Sequence, residues 1–211
     1  MKKLLLSITL IYFLFGVMGC SPSFQVINQS WVDKPATLTI LVSEPYVINK
    51  DDLVDDLPNE LNTFSYWFSG RLATAIANKT SLKVTVRVMT ENDFVFERVL
   101  LSNGKSVIAP KPKQPVEGEL LLCVSPIKTS RYEQTTESPV ASGTMGSSTT
   151  TSSYLRYEAN YAYYDAQKGT NLGYGLIDVR SGFSFYMDAT NWEENVLKMV
   201  ELLVKGTPLV N

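Results

Sequence analysis

YLRYEANYAYYDA, residues 154–166, is the stretch whose reading decides the fold. Leu155, Tyr157, Ala159, Tyr161 and Tyr163 alternate with Arg156, Glu158 and Asn160. A period of two puts the apolar and aromatic side chains on one face and the polar ones on the other. The stretch is therefore predicted to be a strand with one buried face. QKGT, 167–170, reads as a turn. NLGYGLIDVRSGFSFY, 171–186, reads as the returning strand, and its three glycines suggest a bulge or bend.

Upstream, EGELLLCVSPIKTSRYEQ, 117–134, is predicted to be another strand, apolar first and polar at its end. TTESPVASGTMGSSTTTSS, 135–153, is Ser/Thr-rich, offers no core residue and is expected to be a flexible insertion or hairpin tip. ATLTILVSEPYVI, 36–48, reads as a buried strand, and DDLVDDLP, 51–58, as a solvated loop leading into a helix. Leu61, Phe64, Phe68, Leu72, Ala75 and Ile76 then mark one face of a helix ending near Asn78 and Lys79. LKVTVRVM, 82–89, alternates as a half-exposed strand. TENDFVFERVLLSN, 90–103, is expected to be a short helix capped by Thr90 or Asn92, with Phe94, Val95 and Val99 inward. APKPKQP, 109–115, reads as a stiff extended loop with Lys111 and Lys113 solvated. A final helix opens at Asn191 as cap and buries Trp192, Val196, Met199, Val200 and Leu203 before Lys205-Gly206 ends it.

The expected fold is α+β: a mixed, largely antiparallel sheet packed by two main helices, in the order β-α-β-α-β-β-β-α, behind an N-terminal signal peptide. Lys2 and Lys3 precede the apolar run Leu4–Met18, too short for the roughly 20 residues of a membrane-spanning helix. Val17-Met18-Gly19-Cys20 resembles the bacterial lipoprotein lipobox. That resemblance implies cleavage before Cys20 and acylation of its sulfur. Ser21 in place of Asp implies transfer to the outer membrane, facing the periplasm. Residues 1–19 are then the signal peptide, 20–35 a lipidated tether, and 36–207 a single domain carrying the insertion at 135–153.

Composition narrows the chemistry. The 192 residues from Cys20 onward carry 17 basic against 21 acidic side chains, a formal charge of −4, which argues against nucleic acid as a partner. The chain has no histidine, which excludes Ser-His-Asp and Cys-His triads and nearly all zinc sites. With Cys20 acylated, Cys123 has no disulfide partner, and its place in LLLCV marks a buried structural thiol. The acid pairs Asp51/Asp52 and Glu193/Glu194 are neighbours in sequence and point apart, so they are solvated charges rather than acid–base pairs. Neither phosphate-loop nor GxSxG spacing occurs. The reading is not an enzyme, with no cofactor and no metal.

Three passages carry a wider resemblance: FSYWFSGRLATAIAN followed by LKVTVRV, then GELLLCVSPI, then YYDAQKGTNLGYG. They resemble a group of envelope proteins comprising the TolB amino-terminal domain, the curli-secretion (CsgG-type) lipoproteins and the lipoprotein activators of penicillin-binding proteins. The resemblance implies an accessory lipoprotein that presents a protein-binding surface to an envelope machine. Alternatives are an oligomeric secretion channel of the curli type, hence a homo-oligomer, or a small lipid- or glycan-binding lipoprotein. The expected contacts are with the membrane through the lipid on Cys20 and with an envelope protein through Trp67, Tyr157, Tyr161, Tyr163 and Tyr174. Sheet packing is the competing role for those tyrosines.

Overall fold

The computed structural model describes residues 23–48, 53, 64–101, 104, 106–139, 147–183, 187 and 189–210. The signal peptide, Cys20, the Asp51/Asp52 pair, Leu61 and the centre of the Ser/Thr-rich segment lie outside the described residues. The strands are β1 (Phe24–Ile27), β2 (Thr37–Ser43) and β3 (Tyr46–Val47), followed after helix α1 (Phe64–Thr80) by β4 (Lys83–Met89). A 3-10 turn, Glu91–Asp93, leads to β5 (Phe94–Leu100), β6 (Ser106–Pro112), β7 (Leu120–Val124), β8 (Lys128–Pro139), β9 (Ser147–Asp165) and β10 (Asn171–Phe183). Helix α2 (Ala189–Val204) closes the fold. This is the expected α+β architecture, a mixed sheet with two helices on one face.

The main sheet runs β1-β10-β9-β7-β2-β4. Its β1-β10-β9-β7 pairs are antiparallel, whereas β2 lies between β7 and β4 and is parallel to both. Parallel neighbours need crossover connections. The connection from β2 to β4 contains α1, which packs on one face. The connection from β4 to β7 must pass β2 again, and it does so as the β5–β6 hairpin on the opposite face. The two crossovers explain why both faces of the central strands are apolar, and why TLTILVS and LLLCV read as continuous apolar runs. Ile40, Leu122, Tyr157, Tyr161 and Tyr163 face the helices, with Phe68, Leu72, Ile76, Trp192, Met199 and Leu203. Leu41, Leu121, Cys123, Ala162 and Tyr164 face the hairpin, with Phe94 and Ala109.

Several expectations need correction. Phe94–Leu100 is a strand, and only Glu91–Asp93 turns helically. Thr90 does cap that turn, since its N–H and hydroxyl both donate to Asp93 Oδ2, at 2.9 and 2.7 Å. Phe94 is buried, but Val95 is 44% exposed. The 109–115 loop is largely strand β6, in which Pro110 pairs with Phe96 and Pro112 with Phe94. Two-stranded ribbons tolerate proline because one edge has no ladder to complete. Residues 117–134 form two strands, β7 and β8, that pair with different halves of β9. The Ser/Thr-rich segment continues the β8–β9 ladder as far as Pro139 and Ser147. Finally, α2 starts at Ala189, so Asn191 is inside its first turn, where its side-chain amide donates to Gly182 O at 3.2 Å.

The segment expected to be a tether is built into the domain. β1 pairs with β10 from Phe24↔Leu176 to Ile27↔Gly173. Trp31 is 7% exposed, with its ring 5.0 Å from that of Tyr163. The expected bulge is present, between Asn171 and Gly173. Gly175 has a different role: a Cβ there would lie 2.8 Å from the Tyr161 ring and strike the Phe24 carbonyl. Glycine at this position lets β1 and Tyr161 both approach β10.

Candidate functional site

Period-two alternation on β9 and β10 sends a second set of side chains to the face away from the helices. Register places Asp178 opposite Glu158 and Arg180 opposite Arg156, so like charges face each other and opposite charges meet on the diagonals. Arg156 closes on Asp178 through Nε and Nη2, at 3.0 and 2.6 Å, and also donates to Glu158 at 2.7 Å. Arg180 Nε lies 3.5 Å from Asp178, and Lys128 Nζ lies 3.7 Å from Glu158. The Asp178 side chain is 1% exposed, so it is a buried charge held by guanidinium groups. Its hydrogen bond is the main cause that raises the Arg156 pKa further above an already high value.

Aromatic rings border this cluster. The Arg180 guanidinium lies 4.6 Å from the centre of the Tyr132 ring, and Arg131 lies 5.3 Å from that of Phe183. The Tyr132 and Tyr154 rings are 6.2 Å apart at the root of the β8–β9 ribbon. On the far side, Ser23 Oγ donates to Asp178 O and accepts the Asp178 N–H, both at 2.9 Å. The start of the described chain is thereby locked to the middle of β10. Asp178 and Arg180 alternate in GLIDVR as Arg156 and Glu158 do in YLRYE, a signal present in the sequence but meaningless until register brings the two strands together.

A groove of about 450 Å³ lies between Asn28–Pro35 and the 165–170 turn. Its acids are already engaged. Glu119 accepts the Ala36 N–H at 2.7 Å, and Asp165 Oδ1 accepts those of Gln167 and Lys168, both at 2.9 Å. These bonds, Lys168 first, hold the Asp165 carboxyl below its usual range. Among the described residues no group of three or more His, Cys, Asp or Glu could hold a metal ion, and no helix is long and apolar enough to cross a membrane. Burial pushes the Cys123 thiol up to about 12, which leaves it protonated and inert.

The contact face expected of the tyrosines is not assembled. Tyr157, Tyr161 and Tyr163 are at most 1% exposed, and the hydroxyls of Tyr157 and Tyr163 donate to the carbonyls of Trp192 and Leu203, at 3.3 and 3.0 Å. Those two bonds fasten the sheet to α2. Trp67 is half-buried against the same core, and Tyr174 packs against the opposite one. The exposed apolar side chains lie elsewhere. Phe96, Ile108 and Leu100 are 37%, 43% and 75% exposed on the outer side of the β5–β6 ribbon. Val99, Val107 and Ala109 occupy its inner side. Reading this stretch as a helix and a loop hid that surface.

Neither a family model nor a curated protein matches the chain. Among solved structures, it is similar to the PelC dodecamer from Paraburkholderia phytofirmans at 8% identity and a TM-score of 0.42, over 86% of this chain and 95% of that one. It is also similar to lipoprotein GNA1162 from Neisseria meningitidis, at 13% identity and 0.36, over 82% of this chain and 100% of that one. A minor lipoprotein from Acinetobacter baumannii matches at 6% identity and 0.32, over 81% and 90%.

Proposed function

We propose that this chain is a lipid-anchored, periplasm-facing accessory lipoprotein of the outer membrane that presents a protein-binding surface to an envelope machine. The lipobox-like Val17–Cys20 supports the anchor. The observation that carries the binding role is the outer face of the β5–β6 ribbon, where Phe96, Leu100 and Ile108 lie exposed together. A cluster of apolar side chains on a soluble face marks a site of association. Tethering raises the local concentration of that face near a membrane-bound partner. The proposal includes no catalytic step, cofactor or metal.

The test uses a photo-crosslinking amino acid at Phe96 or Leu100 in cells, with Lys83 as control. A discrete adduct from the first two positions and none from Lys83 supports the proposal. No adduct from any of the three sinks it. An adduct of this chain with itself favours the second reading, a homo-oligomer. That reading has its own support in β4, an edge strand that pairs only with β2 among the described residues. Native mass in mild detergent then counts the copies.

A further inference from the structure

The proposed anchor and the polar ribbon lie at the same end of the sheet. β1 runs antiparallel to β10, so followed backward from Phe24 the chain heads toward Phe183. Ser23 is bonded to Asp178 on that path. Cys20 is three residues from Ser23, a reach of at most about 11 Å in any direction. The opposite end of β10, Asn171, is seven residues from Asp178, or about 24 Å. An anchor on Cys20 cannot reach around to it.

The ribbon extends the other way. β10 stops at Phe183, opposite Ser153, while β8 and β9 continue to Pro139 and Ser147. Those six further residues of β9 span about 20 Å. Both faces of the ribbon are polar. Glu133, Thr135 and Glu137 lie opposite Ser153, Thr151 and Thr149, and Gln134 and Thr136 lie opposite Ser152 and Thr150. Such a ribbon lacks the apolar alternation of a lipid-facing barrel strand. It also lacks a clustered basic charge, since Arg131 is spent on Glu133 at 3.1 Å. Hydroxyl groups exchange water for headgroup phosphate and carbonyl oxygens without leaving a polar environment, and the Tyr132–Tyr154 pair at its root is of the kind that sits at membrane interfaces.

We infer that the β8–β9 ribbon is a membrane-contacting arm that lies in the lipid headgroup layer beside the anchor, with the 165–170 turn facing away from the bilayer. This inference rests on acylation of Cys20.

The test uses the acylated protein, in which Cys20 has no free thiol and Cys123 is buried. A fluorophore is placed on Thr136→Cys, on Thr150→Cys or on Lys168→Cys in the far turn. Each is reconstituted in phosphatidylcholine vesicles carrying either a headgroup quencher or a deep acyl-chain quencher. The expected result is several-fold stronger headgroup quenching at 136 and 150 than at 168, with little deep quenching. Equal headgroup quenching at all three positions, as when the ribbon is held by another protein or stands clear of the membrane, overturns the inference. Stronger deep than headgroup quenching at 136 and 150 means insertion and also overturns it. The mass of the N-terminal peptide reads acylation separately. An unmodified Cys20 defeats both the anchor and this inference, whereas an acylated Cys20 with even quenching defeats this inference alone.

Discussion

Two side chains show how much single contacts carry. Tyr163 is fully buried, and its hydroxyl shares the Leu203 carbonyl with Gln25 Nε2, at 3.0 and 3.3 Å. Tyr163→Phe keeps the ring and one donor, so it should cost about 1 kcal/mol. Tyr163→Ala removes the ring and should cost about 3–5 kcal/mol. Denaturant unfolding of the two variants separates hydrogen bond from packing, and equal losses would contradict the arrangement. Asp165 holds the 165–170 turn through the amides of Gln167 and Lys168, while Gly169 supplies the φ of +65° that a side chain would resist. Its folded pKa is lowered, so its stabilisation is present above the unfolded value, near 4, and is lost as pH falls through the folded one. Asp165→Ala should therefore lower stability by about 1 kcal/mol at neutral pH. Thermal melts of wild type and variant should converge in strong acid.

Elements differ in how openly their sequence declares them. Strand β9 is legible because Leu155 to Tyr163 alternate strictly and one face is buried. Helix α2 is legible because Trp192, Val196, Met199, Val200 and Leu203 recur at helical spacing and are all buried. Strand β5 is not. FVFERVL has no clean period, and its strand state comes from lying across the sheet and pairing with β6. Strand β1 is equally silent, since four half-buried residues give no pattern. Its docking depends on a residue in another strand. Gly175→Ala should push β1 off β10, because the new methyl meets both the Tyr161 ring and the Phe24 carbonyl. Overpacking of this kind costs about 1–3 kcal/mol. Amide exchange should quicken at Phe24–Ile27 more than at β7, and uniform exchange would refute the close approach.

At the scale of the whole molecule, the domain begins earlier than residue 36. A chain starting at Ala36 loses β1, the Ser23 latch and the buried Trp31. Losing the Trp31 side chain alone is expected to cost about 3–5 kcal/mol. Denaturation of chains starting at Ser23 and at Ala36 tests this, and equal midpoints would restore the tether reading. The same connectivity fixes orientation. A tether of sixteen residues from Cys20 would leave the domain free to turn, whereas three residues from Ser23 hold one end of the sheet near the anchor.

The sequence by itself determined the α+β class, the two helices, the buried face of β9 and the burial of Cys123, because each follows from periodicity or composition along one segment. It also excluded histidine-based catalysis through composition alone. Only the tertiary structure decided that Tyr157, Tyr161 and Tyr163 are core, that Phe96, Leu100 and Ile108 are surface, and that Asp178 is clamped by Arg156. Those outcomes depend on which strands become neighbours and in what register. Neighbours and register are set by two crossovers of the sheet that no local pattern encodes.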